Sequence, residues 1–237
     1  MRYQVTGEGE PVILVHGLSG SGRWWVRNIP DLARQYRVYL IDLPGFGTMR
    51  RERNLFALSR AADWLAKWMA ALDLRRAHFI GHSMGGYICA LLAAQRPEMV
   101  SRLVLVAPAI LPEKHAVFYY LPPLVRGARY LTPSFFPILA YDALRAGPIM
   151  LLRAARDLLA QDVHEKVRAI NVPTLLIWGE NDTLVPLALA PVLHNEIANS
   201  RLLVLKRAGH VCMYDRAREF NASVLAFLHG DDRESRL

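Results

Sequence analysis

Six short apolar runs punctuate this sequence: "VILVH" (12–16), "RVYLID" (37–42), "AHFIG" (77–81), "RLVLVA" (102–107), "TLLIWG" (174–179) and "RLLVL" (201–205). Their apolarity is nearly continuous rather than alternating. A strand with one wet face alternates; a strand covered on both faces does not, and such cover is typical of parallel sheets. Between the runs, residues 59–72, 84–95, 187–197 and 216–228 carry helical spacing. In "LSRAADWLAKWMAAL", Ala62, Leu65, Met69 and Leu72 share one face, while Asp63 and Lys67 stand at i,i+4 elsewhere. The alternation predicts an α/β fold: a doubly wound, mostly parallel sheet flanked by helices.

Residues 110–159 break this rhythm. The segment "YYLPPLVRGARYLTPSFFPILAYDAL" is too apolar for a solvated loop and too often interrupted by proline for one long helix. A structureless insertion of such length would be unusual in a compact domain. It reads as a small helical cap (110–159) inserted over the carboxyl edge of a core domain formed by 1–109 and 160–237.

With 237 residues, 53% apolar and 21% charged, the chain can bury one large core. Only the final "GDDRESRL" reads as a solvated tail. The net charge is +8 and the pI about 9.8, but the arginines are scattered along helices rather than clustered in runs. A nucleic-acid partner is therefore not expected, while an anionic substrate or peripheral contact with a membrane surface stays open. Cys89 and Cys212 make no disulfide framework and have no metal spacing, and Cys89 reads as a packed core thiol. No metal or cofactor is expected. The start "MRYQVTGEGEPVILVHG" lacks the features of a signal peptide, and no apolar run reaches the roughly 18 residues of a membrane span. The expectation is a cytoplasmic protein without a transmembrane segment.

In "AHFIGHSMGGYICALLA" a strand ends at Gly81 and a helix begins by Met84, so Ser83 sits on a sharp corner. Gly81 and Gly85, two residues to either side, remove the Cβ atoms that would collide there. The Met84 N–H then lies at a helix start, beside the serine hydroxyl. A serine that merely caps the helix is the plainer alternative. The strand-before, helix-after context is what G-x-S-x-G requires when its serine is a nucleophile.

A serine hydroxyl needs a base, and the base needs an orienting acid. His210, in "RLLVLKRAGHVCMYD", follows the last strand through a short loop and is best placed for the first role. His82 is adjacent to Ser83 and should point away from the hydroxyl. His115, His164, His194 and His229 lie on cap or helix patterns and read as surface residues; His78 opens a strand and reads as structural. For the acid, "LLIWGENDTLVP" offers Glu180 and Asp182 just past a strand. Asp182 is preferred because it lies nearer the helix start and can turn back over the edge; its bland alternative is a turn or cap aspartate. In "LVHGLSGSGRWW", small residues after His16-Gly17 let backbone amides face the crevice. The Leu18 N–H is the natural second oxyanion donor beside that of Met84, and losing one such donor typically costs ~3 kcal/mol of barrier. No G-x-x-x-x-G-K-[ST] or G-x-G-x-x-G phosphate loop fits.

In order and interval, "VILVHGLSGSGRWW", "YLIDLPGFG", "GHSMGG", "VPTLLIWGENDTLVP" and "AGHVCMYDRAREF" together resemble the α/β-hydrolase fold family of the kind with a helical cap. The resemblance implies Ser83 as nucleophile, Asp182 as acid, His210 as base, and Leu18 and Met84 as oxyanion amides. It makes "DLPGFG" a structural turn and gives Asp42 no chemistry. The chain departs from the family in its short N-terminus, which leaves "YQVTG" as a candidate edge, and in having Thr48 where many relatives place a serine. Ser83 stands where dehalogenases and epoxide hydrolases of this fold carry a carboxylate, and Val211 where hydroxynitrile lyases place a lysine. The implied activity is hydrolysis of a carboxylic ester in a small-molecule ester or acyl substrate. Thioester hydrolysis and C–C bond hydrolysis of vinylogous diketones use the same triad, and some members are slow-turnover ligand receptors; these alternatives stay open.

The cap residues Phe118, Tyr119, Tyr120, Leu121, Leu124, Tyr130, Phe135, Phe136, Ile138 and Leu139 hold more apolar area than so short an insert buries within itself. Part is expected to pack on the core domain and part to line a pocket above Ser83. Arg126, Arg129, Arg145, Arg153 and Arg156 form either a solvated outer face or a basic rim.

Overall fold

The computed structural model describes residues 2–110, 117–160 and 164–230. All six apolar runs are strands: β2 (Glu10–Val15), β3 (Tyr36–Ile41), β4 (Ala77–His82), β5 (Val100–Val106), β6 (Thr174–Gly179) and β7 (Ser200–Leu205). An additional strand, β1 (Tyr3–Thr6), pairs antiparallel with β3 and makes "YQVT" the sheet edge. The order is β1-β3-β2-β4-β5-β6-β7, and every pair except β1–β3 is parallel. Among the described residues the helices are α1 (Ile29–Leu32), α2 (Ala61–Ala71), α3 (Met84–Gln95), α4 (Leu121–Gly127) and α5 (Phe136–Ala146), then α6 (Pro148–Ala160), α7 (His164–Val167), α8 (Leu189–Glu196), α9 (Cys212–Asp215) and α10 (Ala217–His229).

The continuous apolarity of the strands has a direct structural cause. Along β2, Ile13 and Val15 enter the core on one face of the sheet, with α2 and α3, while Val12 and Leu14 enter the core on the other, with α10. All four are completely buried. Each such side chain contributes ~1.5–3 kcal/mol relative to exposure, so neither face tolerates a polar residue. α3 is buried on nearly every side, including Cys89, which is why its sequence shows no polar face.

Residues 117–160 are helical, and α5 and α6 turn Asp142, Ala146, Met150 and Ala154 inward. Phe135 is fully buried between Trp24 and Tyr214. Tyr119, Leu121, Leu124 and Phe136, by contrast, are exposed. Ile138 and Leu139 are partly buried against the core, as expected for the part of this apolar area that packs on the core domain. Phe136 lies on α5, whose inward face holds Asp142 and Ala146, whereas α4, which carries Leu121 and Leu124, has no buried residue. His115 and the 231–237 tail lie outside the described residues, as do the side chains of Phe118 and His164.

Candidate active site

The strand order fixes where a crevice can form. The chain steps from β2 outward to β3, then returns across β2 to place β4 on its other side. Connections leave the carboxyl ends of β2 and β4 in opposite directions, and such a reversal opens a cleft between them. His16 and Gly17 follow β2, and Ser83 follows β4. Asp182 and His210 follow β6 and β7 at the same edge.

Ser83 has φ +51° and ψ −116°, a region that costs a non-glycine residue ~1–3 kcal/mol. Its backbone is held from three directions: Ser83 N–H donates to the Val106 carbonyl at 2.9 Å, and the Ser83 carbonyl accepts from Tyr87 and Ala109 N–H at 3.0 Å each. Although Ser83 is the N-cap of α3, its side chain makes no capping bond. The plain capping role is therefore absent. Gly85 packs under the end of β2, where a Cβ would meet the carbonyl oxygens of Val15 and of His16, the latter at 2.6 Å. No side chain fits that contact.

The expected oxyanion amides flank this corner. Met84 is the first residue of α3, where N–H groups have no intrahelical acceptor. Gly17 to Gly20 form a turn closed by a 3.1 Å bond from Gly20 N–H to the Gly17 carbonyl, with Ser19 at φ +67°. A Cβ on Gly17 would lie 3.1 Å from Ser83 Cβ, so Leu18 follows a backbone already in contact with the serine. His16, completely buried, holds the loop from below: its Nδ1–H donates to the Gly17 carbonyl at 2.8 Å and its Nε2 accepts Leu43 N–H at 3.0 Å. Acceptance at Nε2 requires the neutral ring, and burial lowers its pKa in the same sense. Asp42 does no more than tie turns together, accepting from Gly22 N–H and from Thr48 N–H and Oγ1–H. Thr48 thus supplies a hydroxyl as well as a backbone N–H to Asp42 Oδ2.

His210 and Asp182 meet on the far side. His210 Nδ1 lies 2.7 Å from Asp182 Oδ2, and Asp182 Oδ1 accepts N–H groups of Leu184 at 2.9 Å and Val185 at 3.0 Å. Glu180 faces outward and accepts Arg207 N–H. The pair forms because the β7 loop crosses directly over the end of β6. A Cβ on Gly179 would meet the carbonyls of Gly209 and Ala208, and Asn181 N–H donates to that of Ala208 at 2.9 Å. The closeness of this crossing is a reason for glycine at 179.

His82 joins the two halves through the His210 backbone. Its Nε2–H donates to the His210 carbonyl at 2.9 Å, and the two rings lie with centroids 4.7 Å apart, tilted by 53°. Trp24 packs on the ring from the other side and on Phe135 beyond. Burial holds the His82 pKa well below its ordinary value, so the ring is neutral. His78 is buried against Glu10, while His194 and His229 are exposed.

Two supporting carboxylates were not legible in the sequence. Asp142, buried on α5, accepts Ser21 Oγ–H at 2.7 Å beside the Gly17–Gly20 turn, and burial raises its pKa above the ordinary carboxylate value. Asp215 accepts Thr132 N–H and Oγ1–H on one oxygen and Gly209 N–H, next to His210, on the other. The only signal for Asp142 is an isolated acid in the apolar run "FPILAYDALRA". Asp215 carries none. Among the described residues, no cluster of three or more His, Cys, Asp or Glu side chains is arranged to hold a metal ion.

Comparison with known proteins agrees with this architecture. The family model of the alpha/beta hydrolase fold matches residues 10–162, and that of TAP-like proteins matches 147–233. The chain is 29% identical over 240 residues to the pimeloyl-[acyl-carrier protein] methyl ester esterase of Aeromonas hydrophila, covering 90% of this chain and 93% of the relative. It is 32% identical over 267 residues to the 2-hydroxy-6-oxo-6-phenylhexa-2,4-dienoate hydrolase of Comamonas testosteroni, covering 96% and 91%. The solved meta-cleavage product hydrolase of Pseudomonas fluorescens IP01 superposes with a TM-score of 0.77 at 28% identity, over 97% of this chain and 94% of that one. By fold, by the strand-end placement of its serine and by these matches, the chain belongs to the α/β hydrolase fold family.

Proposed function

We propose that the protein is a serine hydrolase that cleaves a carboxylic ester through an acyl-enzyme intermediate. Ser83 Oγ attacks the carbonyl carbon while its proton passes to His210 Nε2, the nitrogen left free because Nδ1 faces Asp182. The Leu18 and Met84 N–H groups receive the charge on the tetrahedral oxygen. Collapse of that intermediate breaks the C–O bond, and the leaving alkoxide takes the proton from His210. Water, activated by the same histidine, then hydrolyses the acyl-Ser83 ester. In this reading residues 110–159 act as a cap over the carboxyl edge. The observation that carries the proposal is Ser83 itself, strained at φ +51° with a hydroxyl that does not cap its helix. The similarity to a methyl ester esterase supports the ester as substrate.

C–C bond hydrolysis on the same residues is a second reading, favoured by the 32% identity to a hydrolase of a ring-cleavage-type dienoate. Steady-state turnover of a panel of short aryl esters, methyl esters, thioesters and vinylogous diketones distinguishes the two. Covalent hydrolysis through Ser83 predicts stoichiometric labelling by an organophosphonate and a loss of roughly 10⁴-fold or more in Ser83→Ala. Wild-type turnover by Ser83→Ala would refute both readings, and preference for the diketone would select the second.

A further inference from the structure

The helical stretches Pro133–Ala146 and Pro148–Ala160 meet at Gly147 with a bend of 92°. Of the large apolar side chains among the described residues, the two most exposed stand on either side of this bend: Leu144 at 82% and Ile149 at 79%. Phe136, Tyr141 and Leu152 continue the exposed apolar surface along both arms. Facing inward are Asp142, Ala146, Met150 and Ala154. A helix whose outer face is aliphatic and whose inner face carries a carboxylate inverts the pattern of a helix that faces water.

Arginines ring the corner. Arg145 lies between Leu144 and the bend. Arg153, more than one turn past the bend, donates to the carbonyls of Arg53 at 3.3 Å and Phe56 at 3.2 Å. The Arg53 guanidinium lies 3.7 Å from where a Cβ on Gly147 would stand, and Arg50 and Arg51 lead into it. Among the described residues, none of these five arginines pairs with a carboxylate; Arg145 bonds Tyr141 Oη and Arg53 bonds the Arg50 carbonyl. Glu52 is the single acid within 50–53.

We propose that this corner docks on an anionic membrane surface, with Leu144 and Ile149 entering the headgroup–acyl boundary and the arginines at the level of the lipid phosphates. Apolar tips and a basic collar together supply the two signals that stable peripheral binding needs. An acidic protein could use the arginines, but two aliphatic tips on a convex corner gain most where a fluid acyl layer can receive them. No single helix among the described residues is long and apolar enough to cross a membrane, and a wedge needs none. α5 also carries Asp142, bonded to Ser21 beside the Gly17–Gly20 turn, so docking would bring that part of the sheet edge toward the bilayer.

The test is sedimentation of the full chain with phosphatidylcholine vesicles, with and without phosphatidylglycerol, at low and high salt. Wild type should bind the phosphatidylglycerol vesicles at low salt and release as salt shortens electrostatic reach. Leu144→Asn/Ile149→Asn and Arg51→Ser/Arg145→Ser should each lower partitioning by about tenfold, consistent with loss of one of the two signals. All these residues lie on the surface, so circular dichroism and hydrolysis of a water-soluble ester should match wild type. Failure of wild type to bind anionic vesicles at low salt, or undiminished binding by Leu144→Asn/Ile149→Asn, would overturn the proposal. So would indifference to vesicles combined with arginine-dependent binding of an acidic carrier protein, which would assign the corner to a protein partner.

Discussion

Asp182 holds His210 with one carboxylate oxygen and is itself held by the other: Oδ2 lies 2.7 Å from His210 Nδ1, while Oδ1 accepts two backbone N–H groups. A carboxylate fixed at both oxygens cannot swing, so it sets the orientation of the ring. Its side chain is completely buried, whereas that of His210 retains 13% exposure toward the crevice.

Asp182→Asn therefore keeps the size and the Oδ1 bonds but turns an amide N–H toward Nδ1, favouring the wrong tautomer. In the proposed reaction kcat should fall by roughly 10³–10⁴ with the fold intact. Glu180→Gln removes a charge but keeps an oxygen that can accept the exposed Arg207 N–H, and should change kcat by less than about twofold. Steady-state kinetics on an aryl ester, alongside thermal melts, checks both. The reverse ranking would transfer the orienting role to Glu180.

The packing of the serine corner can be tested separately from its chemistry. Gly85→Ala drives a methyl group toward the Val15 and His16 carbonyls. Backbone in the middle of a sheet yields little, so the variant should lose about 1–3 kcal/mol in urea unfolding, or more, and lose activity as Ser83 moves. Unchanged stability would mean that α3 can slide away from β2.

How much of this was visible in the sequence depended on whether the determinant was local. Six strands, α3 and the corner at Ser83 follow from periodicity and glycine placement, and their observed limits lie within about two residues of the expected ones. Asp182 and His210 could be singled out because each lies a few residues beyond a strand end, and the structure places the two side chains 2.7 Å apart. The strand order was not legible, since nothing local tells β4 to return across β2. Asp142 and Asp215 were missed for the same reason: Asp142 joins Ser21 across 121 residues, and Asp215 joins Thr132 across 83. Which apolar cap side chains look outward, as Leu121, Leu124 and Phe136 do, was not legible, because composition gives the apolar area of the helices and not its faces.

The bond between Asp142 and Ser21 links α5 to the end of the Gly17–Gly20 turn, and it should be measurable as coupling. Ser21→Ala leaves a buried carboxylate without its hydroxyl donor, and Asp142→Ala leaves the hydroxyl without its acceptor. Each should cost about 1–3 kcal/mol, and the double variant less than their sum by about 0.5 kcal/mol or more. kcat should fall in all three if the turn positions Leu18. Strict additivity would mean that the two residues act independently.

The last prediction concerns stability in mild acid. His16 and His82 are completely buried, and burial holds both pKa values below 6.5 in the folded protein. Unfolded, each titrates near 6.5. Above that pH both rings are neutral in either state and cost nothing. As the pH falls below 6.5 the unfolded chain binds protons first, so stability drops by up to ~1.4 kcal/mol per pH unit for each ring until the folded form also protonates. Asp142 works in the opposite sense: burial raises its folded pKa, so the folded state takes up a proton before the unfolded chain does, and acid favours folding at that site. Urea midpoints should therefore fall from pH 7.5 to pH 5.5, with a shallower fall in His82→Asn and a fall in Asp142→Asn at least as steep as in wild type. A midpoint independent of pH across that window would show that the buried rings accept protons without opening the site.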